Sequence, residues 1–346
     1  MGGWSQCWNR WGNSPATRSA ACMIAGAAAC LGFLGLTSKG SSAAERGAIA
    51  GWVLDRDGNA LAGLDADRLL VRRFVVPSPV ELAAASDGDL WVVSANPAGP
   101  LGPARLLLVD DESGGVAREW ALSSVLDLET VHGVHLSQAG GAEALVVELG
   151  SGGERHVARL AKSGACVTVE RSSDAFCAAA AWGCTLVGSE RGELRLFGPD
   201  GQRLVRRAFG GVIGDVAPGP EPGLWWVLDV AAGAGGAQLA LLGRDLASHW
   251  QVSAGLAALT LAPVEGAERV WLCDEAGAFA RRFGPGGVLE LAHVDLAHGG
   301  ASRASAGDDG SLWIAAPGAL LCLDGTGATI PGQGGWEFLV DVERVR

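Results

Sequence analysis

Apolar positions along this chain gather in short runs broken by Gly, Asp or Pro, with no sustained helical spacing in the body of the protein. Runs of that length between turn residues read as β-strands. The same phrase recurs: a Gly/Asp turn, then an apolar strand usually centred on Trp. Clear copies are Asp87-Gly88-Asp89-Leu90-Trp91-Val92-Val93, Glu221-Pro222-Gly223-Leu224-Trp225-Trp226-Val227, Glu268-Arg269-Val270-Trp271-Leu272 and Asp309-Gly310-Ser311-Leu312-Trp313-Ile314. The strand centres fall at Trp52, Trp91, Val146, Leu186, Trp225, Trp271 and Trp313, spaced 39 to 55 residues apart. A repeat of about 40 residues marks small sheets that cannot bury their own faces and must stack on one another.

Each centre is preceded by a softer strand of small residues, as in Val80 to Ala84, Phe176 to Ala180 and Val212 to Val216. Small side chains suit the crowded hub where innermost strands converge. A third apolar strand follows, as in Arg105 to Asp110 and Leu320 to Asp324, then a fourth with alternating charge, as in Leu70 to Phe74 and Leu204 to Arg207. Polar outer strands protect an edge that would otherwise recruit another chain. The pattern predicts an all-β, seven-bladed β-propeller over residues 45–346, with a six-bladed ring as the alternative. Residues 47–76 hold only three strands, while Trp336 to Val342 form a lone strand at the C-terminus. Pairing the two closes the ring and removes both open edges.

The first 44 residues differ in kind. Arg10 and Arg18 precede an apolar run over 19–36, followed by small polar residues up to Ala44. A basic segment, an apolar core and small residues before a cut fit an export signal peptide. The same run is long enough to serve as an uncleaved anchor helix, and Cys30 offers a weaker route through lipid attachment. Each alternative places the body outside the cytoplasm of a bacterial cell, periplasmic or extracellular, touching the membrane only through the N-terminal segment. The net charge is −12 and deepens to −15 once residues 1–44, which carry no acid, are set aside. Such a surface repels phosphate backbones and argues against a nucleic-acid partner. The five cysteines past the leader, Cys166, Cys177, Cys184, Cys273 and Cys322, show no metal or redox spacing and read as small buried side chains.

The rhythm of Asp87-Gly88-Asp89-Leu90-Trp91-Val92 with Leu107-Leu108-Val109-Asp110, and of Leu194-Arg195-Leu196-Phe197-Gly198-Pro199-Asp200-Gly201, resembles the NHL-like, virginiamycin B lyase-like and gluconolactonase-like propellers. The resemblance covers the body of the chain at the level of fold. It implies a second possibility beside a scaffold: in the lactonase and lyase families one divalent ion in the channel polarises the substrate while a neighbouring side chain moves a proton.

Loops after second strands and before first strands gather at one mouth of a propeller's channel. Those loops carry Glu148, Glu190, Asp229 and Asp274 as candidate metal ligands, with His132 and His298 as candidate bases or ligands. Asp174 and Asp215 fall in the same set. Acidic residues after strands are also ordinary turn formers, and no two candidates share a spacing that fixes them together. The expectation is therefore a binding or interaction module for a protein or cell-envelope ligand, with no cofactor. The alternative is a lactonase or lyase that uses Ca²⁺ or another divalent ion. Of the tryptophans, Trp120 and Trp250 sit off the strand-centre register and are the two to test for surface exposure.

Overall fold

A computed structural model describes residues 48–85, 88–95, 104–127, 134–138, 143–148, 154–230, 236–255, 258–274, 279–295, 303–316, 319–330 and 339–344. The leader over 1–44 lies outside the described residues. Among those described, no helix is long and apolar enough to cross a membrane.

Turn residues at regular intervals fold the chain back on itself into antiparallel meanders, each a four-stranded sheet. The N-terminal three strands are β1 (Gly51–Asp55), β2 (Ala60–Leu64) and β3 (Leu70–Val75). The second blade holds β4 (Pro79–Ala84), β5 (Leu90–Ser94), β6 (Arg105–Val109) and β7 (Val116–Ala121). The third holds β8 (Val134–Gln138), β9 (Glu143–Glu148), β10 (Arg155–Ala161) and β11 (Cys166–Ser172). The fourth holds β12 (Ala175–Ala181), β13 (Cys184–Ser189), β14 (Glu193–Phe197) and β15 (Arg203–Ala208). The fifth holds β16 (Val212–Pro218), β17 (Trp225–Val230), β18 (Ala237–Leu242) and β19 (Ser248–Ser253). The sixth holds β20 (Ala258–Pro263), β21 (Val270–Asp274), β22 (Phe279–Phe283) and β23 (Leu289–Asp295). The seventh holds β24 (Arg303–Ala306), β25 (Leu312–Ala316), β26 (Ala319–Leu323) and β27 (Thr329–Ile330). The last strand, β28 (Leu339–Arg344), returns to pair antiparallel with β1, Val53 opposite Val342, and heads the first blade.

The first strands touch in the sequence β28, β4, β8, β12, β16, β20, β24 and back to β28, so the seven sheets form a ring around an axis. Trp52, Trp91, Trp225, Trp226, Trp271 and Trp313 are fully buried between blades. Truncating such a side chain costs about 3–5 kcal/mol. A single-turn helix, α1 (Leu122–Leu126), was not expected from the strand pattern; it buries Leu122 and Leu126 in the core shared by the second and third blades.

Neighbouring blades are also tied by arginine. Arg72 on β3, Arg159 on β10, Arg207 on β15 and Arg282 on β22 each donate to a carbonyl in the turn before the last strand of the following blade. The acceptors are Asp111, Pro199, Leu246 and Gly325, and donor and acceptor stand 39 to 43 residues apart. The blade period thus reappears in the hydrogen bonds. A guanidinium suits this role because its fixed fork of donors can satisfy a carbonyl while its stem packs along the seam.

Candidate functional site

Antiparallel order puts the entry to every first strand and the exit from every second strand at one end of the ring, here termed the rim. In five of the seven first strands a one-residue bulge sits near that end, at Val80, Phe176, Gly214, Leu259 and Val340. A bulge bends its strand and re-aims the following side chain. The residues that follow include Glu81, Cys177 and Asp215.

These three side chains reach to the innermost strand of the next blade. Glu81 accepts from the amide of Leu136, Asp215 Oδ2 accepts from the amide of Leu261 at 2.8 Å, and the Cys177 thiol donates to the Ile213 carbonyl at 3.5 Å. The inner edge of a first strand has no further strand to pair with, so side chains from the neighbour satisfy its backbone. Arg303 on β24 reaches past β28 to Glu81, with Nη2 and Oε1 3.4 Å apart. The hub is clasped by its own charges.

The rim candidates named from the sequence fall into three groups. His132 and His298 lie outside the described residues. Glu148 and Asp274 end β9 and β21, with backbones paired to Val134 and Ala258; their side chains are not among those described. Glu190 and Asp229 are described in full. Glu190 is exposed and ion-pairs with Arg155 at 2.7 Å. Arg155 also donates to the Ala175 carbonyl at 2.8 Å. Asp229 is 6% exposed, and burial raises its carboxyl above the ordinary 3.8 against the pull of the Gly211 and Gly210 amides. Its Oδ1 meets no donor. Asp229 stands where Ser94 and Ser189 stand in their blades, each opposite the residue before the bulge. Ser94 donates to the Pro77 carbonyl at 2.5 Å, so this position secures the loop that enters the first strand.

Asp174 pairs with Arg195 at 3.0 Å, and Glu170 pairs with the same guanidinium at 3.0 Å. All three side chains are nearly buried, and the triad joins β11 of one blade to β14 of the next. Burial raises the Glu170 carboxyl above 4.5, with Arg195 opposing. Among the described residues, no three His, Cys, Asp or Glu side chains are grouped to hold a metal ion.

The opposite face is built differently. A cleft of about 450 Å³ opens there between the fourth and fifth blades, walled by Trp182, Leu224 and Trp225 and edged by Arg244, Asp245 and His249. Trp182 and Gly183 form the turn between β12 and β13, with Ala181 opposite Cys184. Trp182 is 43% exposed. Its ring meets Trp225 edge-on, centroids 5.4 Å apart at 70°. Trp120 and Trp250 are only half-buried partners of other tryptophans, Trp91 and Trp226, so the exposed indole is one that register reasoning passed over. The signal was present: a two-residue hairpin turn favours Asn, Asp or Gly, and here it begins with Trp.

The sequence matches no family model and no curated protein. Solved structures do match. A functionally unknown protein from Desulfotomaculum acetoxidans superposes with a TM-score of 0.63 at 13% identity, covering 86% of this chain and 99% of that one. Hydrazine synthase from Kuenenia stuttgartiensis gives 0.62 at 10% identity, covering 80% and 92%. A streptogramin B lyase gives 0.57 at 11% identity, covering 74% and 83%. The likeness shows a β-propeller fold. At such identities the likeness carries the propeller's architecture and leaves chemistry to the residues of this chain.

Proposed function

We propose that this propeller is an exported binding module of the cell envelope, with a protein or envelope polymer as its ligand. One observation carries the reading: Glu190, Asp174 and Asp215 at the rim are held by the chain's own donors, while the opposite face keeps an aromatic cleft edged by a cation with no partner among the described residues. Glu190 belongs to Arg155 and Asp174 to Arg195. Asp215 belongs to the Leu261 and Val216 amides. Arg244, exposed at the cleft, makes no hydrogen bond or ion pair among the described residues. Groups already satisfied have little affinity left for a ligand, and groups left open have it in reserve. The basic and apolar leader over 1–44 supports export.

Two measurements test this. The full chain is incubated with a washed cell-envelope fraction, and retention is expected to fall when the cleft is altered by Trp182→Asn. Equal retention of the variant removes the cleft from the reading. A reporter enzyme active only outside the cytoplasm, fused after residue 44, is expected to be active; an inactive fusion rejects export.

The lactonase or lyase reading keeps one observation in its favour, the buried Oδ1 of Asp229 that meets no donor. Melting curves in millimolar Ca²⁺, Mg²⁺ or Mn²⁺ decide between the two, since a site that binds only the folded state raises the melting temperature. No shift is expected. A shift abolished by Asp229→Asn would favour the metal enzyme.

A further inference from the structure

Resting on the binding-module reading, we infer that the cleft between the fourth and fifth blades is a glycan site that takes a neutral pyranose ring against Trp182. Three independent observations meet there.

The first is backbone strain. Among the described residues, six that are not glycine have positive φ: Asn59, Arg68, Ser78, Asp127, Trp182 and Leu246. Trp182 (φ 52°) and Leu246 (φ 59°) are the two with large apolar side chains, and both belong to turns that border the cleft. Left-handed backbone disfavours bulky residues and persists where the surroundings enforce it, most often at functional sites.

The second is rigidity. Leu246 is fully buried in the core shared by the two blades, and its carbonyl accepts from Arg207. Asp245 Oδ1 accepts the Ala247 amide at 2.9 Å. The turn that carries Arg244 and Asp245 is thus held before any ligand arrives, which lowers the ordering cost of binding.

The third is chemistry. The cleft offers a guanidinium donor in Arg244, a carboxylate in Asp245, an imidazole in His249 and an indole wall. Adjacent hydroxyls of a sugar can donate to a carboxylate and accept from a guanidinium at once, while the C–H face of the ring packs on an aromatic surface. The volume lies within the ~300–1,000 Å³ usual for small-ligand sites. Charge selects neutral sugars: Arg244 and Asp245 cancel locally, and the net charge of −12 repels polyanions.

The test uses the full chain and three soluble probes of equal length: a neutral glucan hexasaccharide, a neutral N-acetylhexosamine hexasaccharide and a polyuronate hexasaccharide. Calorimetry is expected to show binding of at least one neutral probe and none of the polyuronate. Trp182→Asn is expected to weaken that binding about tenfold or more. Asn-Gly is the preferred sequence for this turn, so the variant should melt within about 3 °C of the parent. Arg244→Gln should weaken binding with no change in melting. Failure of both neutral probes to bind overturns the inference, as does binding that survives both substitutions or a preference for the polyuronate. If the probes fail while Trp182 still governs retention on envelope material, the glycan class falls and the binding-module reading stands.

Discussion

The rim and the opposite face of this propeller both carry polar side chains but treat them in opposite ways. At the rim, Asp174, Glu190 and Asp215 answer donors from their own or an adjoining blade. The loops there are packed to contact; a Cβ added at Gly192 would sit 2.1 Å from the Gly211 carbonyl oxygen. At the other face, Gly183 has nothing within 4 Å of where its Cβ would be, and Trp182 stands exposed beside it. Left-handed backbone occurs at both ends, at Asn59 and Ser78 on the rim, but the two large apolar residues that adopt it, Trp182 and Leu246, belong to turns at the open end. Polarity alone therefore does not locate a site. A polar group whose partners lie in the same chain builds the ring, whereas an unengaged group on an enforced backbone is available to something else.

Removing one charge from each face tests this contrast most severely. Arg195→Leu leaves Glu170 and Asp174 buried side by side without their shared cation, and is expected to cost about 3–5 kcal/mol in urea unfolding. Arg244→Gln, at an exposed position, should change stability by no more than about 0.5 kcal/mol. Equal effects would dissolve the distinction between architecture and site. A milder version uses glycines, both at positive φ. Gly192→Ala combines left-handed strain with collision against backbone and is expected to cost about 2–4 kcal/mol. Gly183→Ala meets strain alone, about 1–2 kcal/mol. A Gly183 effect as large as that at Gly192 would show that the open face is packed by something the geometry does not supply.

Much of the ring could be read from the chain because its signal is local. Each strand centre from Trp52 to Trp313 lies in a second strand, since short apolar runs bounded by Gly/Asp turns are signals that act within a few residues. The bulges that turn Glu81, Cys177 and Asp215 toward the neighbour carry no comparable mark, and sequence reasoning placed Asp215 among candidate ligands when its partner is the Leu261 amide 46 residues away. Arginine was a missed clue of another kind. Lysine is nearly absent, with Lys39 and Lys162 the two in the chain. Arg72, Arg159, Arg207 and Arg282 hold four seams in the same way, a role that composition alone does not announce. Trp182 escaped notice as a surface residue because indole burial was judged by strand register, and a hairpin tip has none.

Acidity gives the smallest effect and the finest comparison. Glu170 is raised above 4.5 first by burial, with Arg195 opposing and Asp174 adding to the rise. Asp229 is raised above 3.8 by the same cause. A carboxyl with its folded pKa above the unfolded value binds the proton more readily in the native state, so stability increases as pH falls through the window just above the unfolded value. Asp110 and Asp324 act in the other direction. Hydroxyl donors from Ser113 and Thr326 hold them below 3.8, and their contribution is present above that value and lost as pH falls through their lowered pKa values. The two windows are separate, so lowering pH from neutrality toward the ordinary carboxyl range should raise the urea midpoint slightly before acid unfolding begins. Glu170→Gln should reduce that rise, since it leaves a neutral group in the same place, while Arg244→Gln on the opposite face should leave the slope untouched. A rise that persists in Glu170→Gln would assign the burial cost to Asp229 instead, and would make that carboxyl the strained member of the rim.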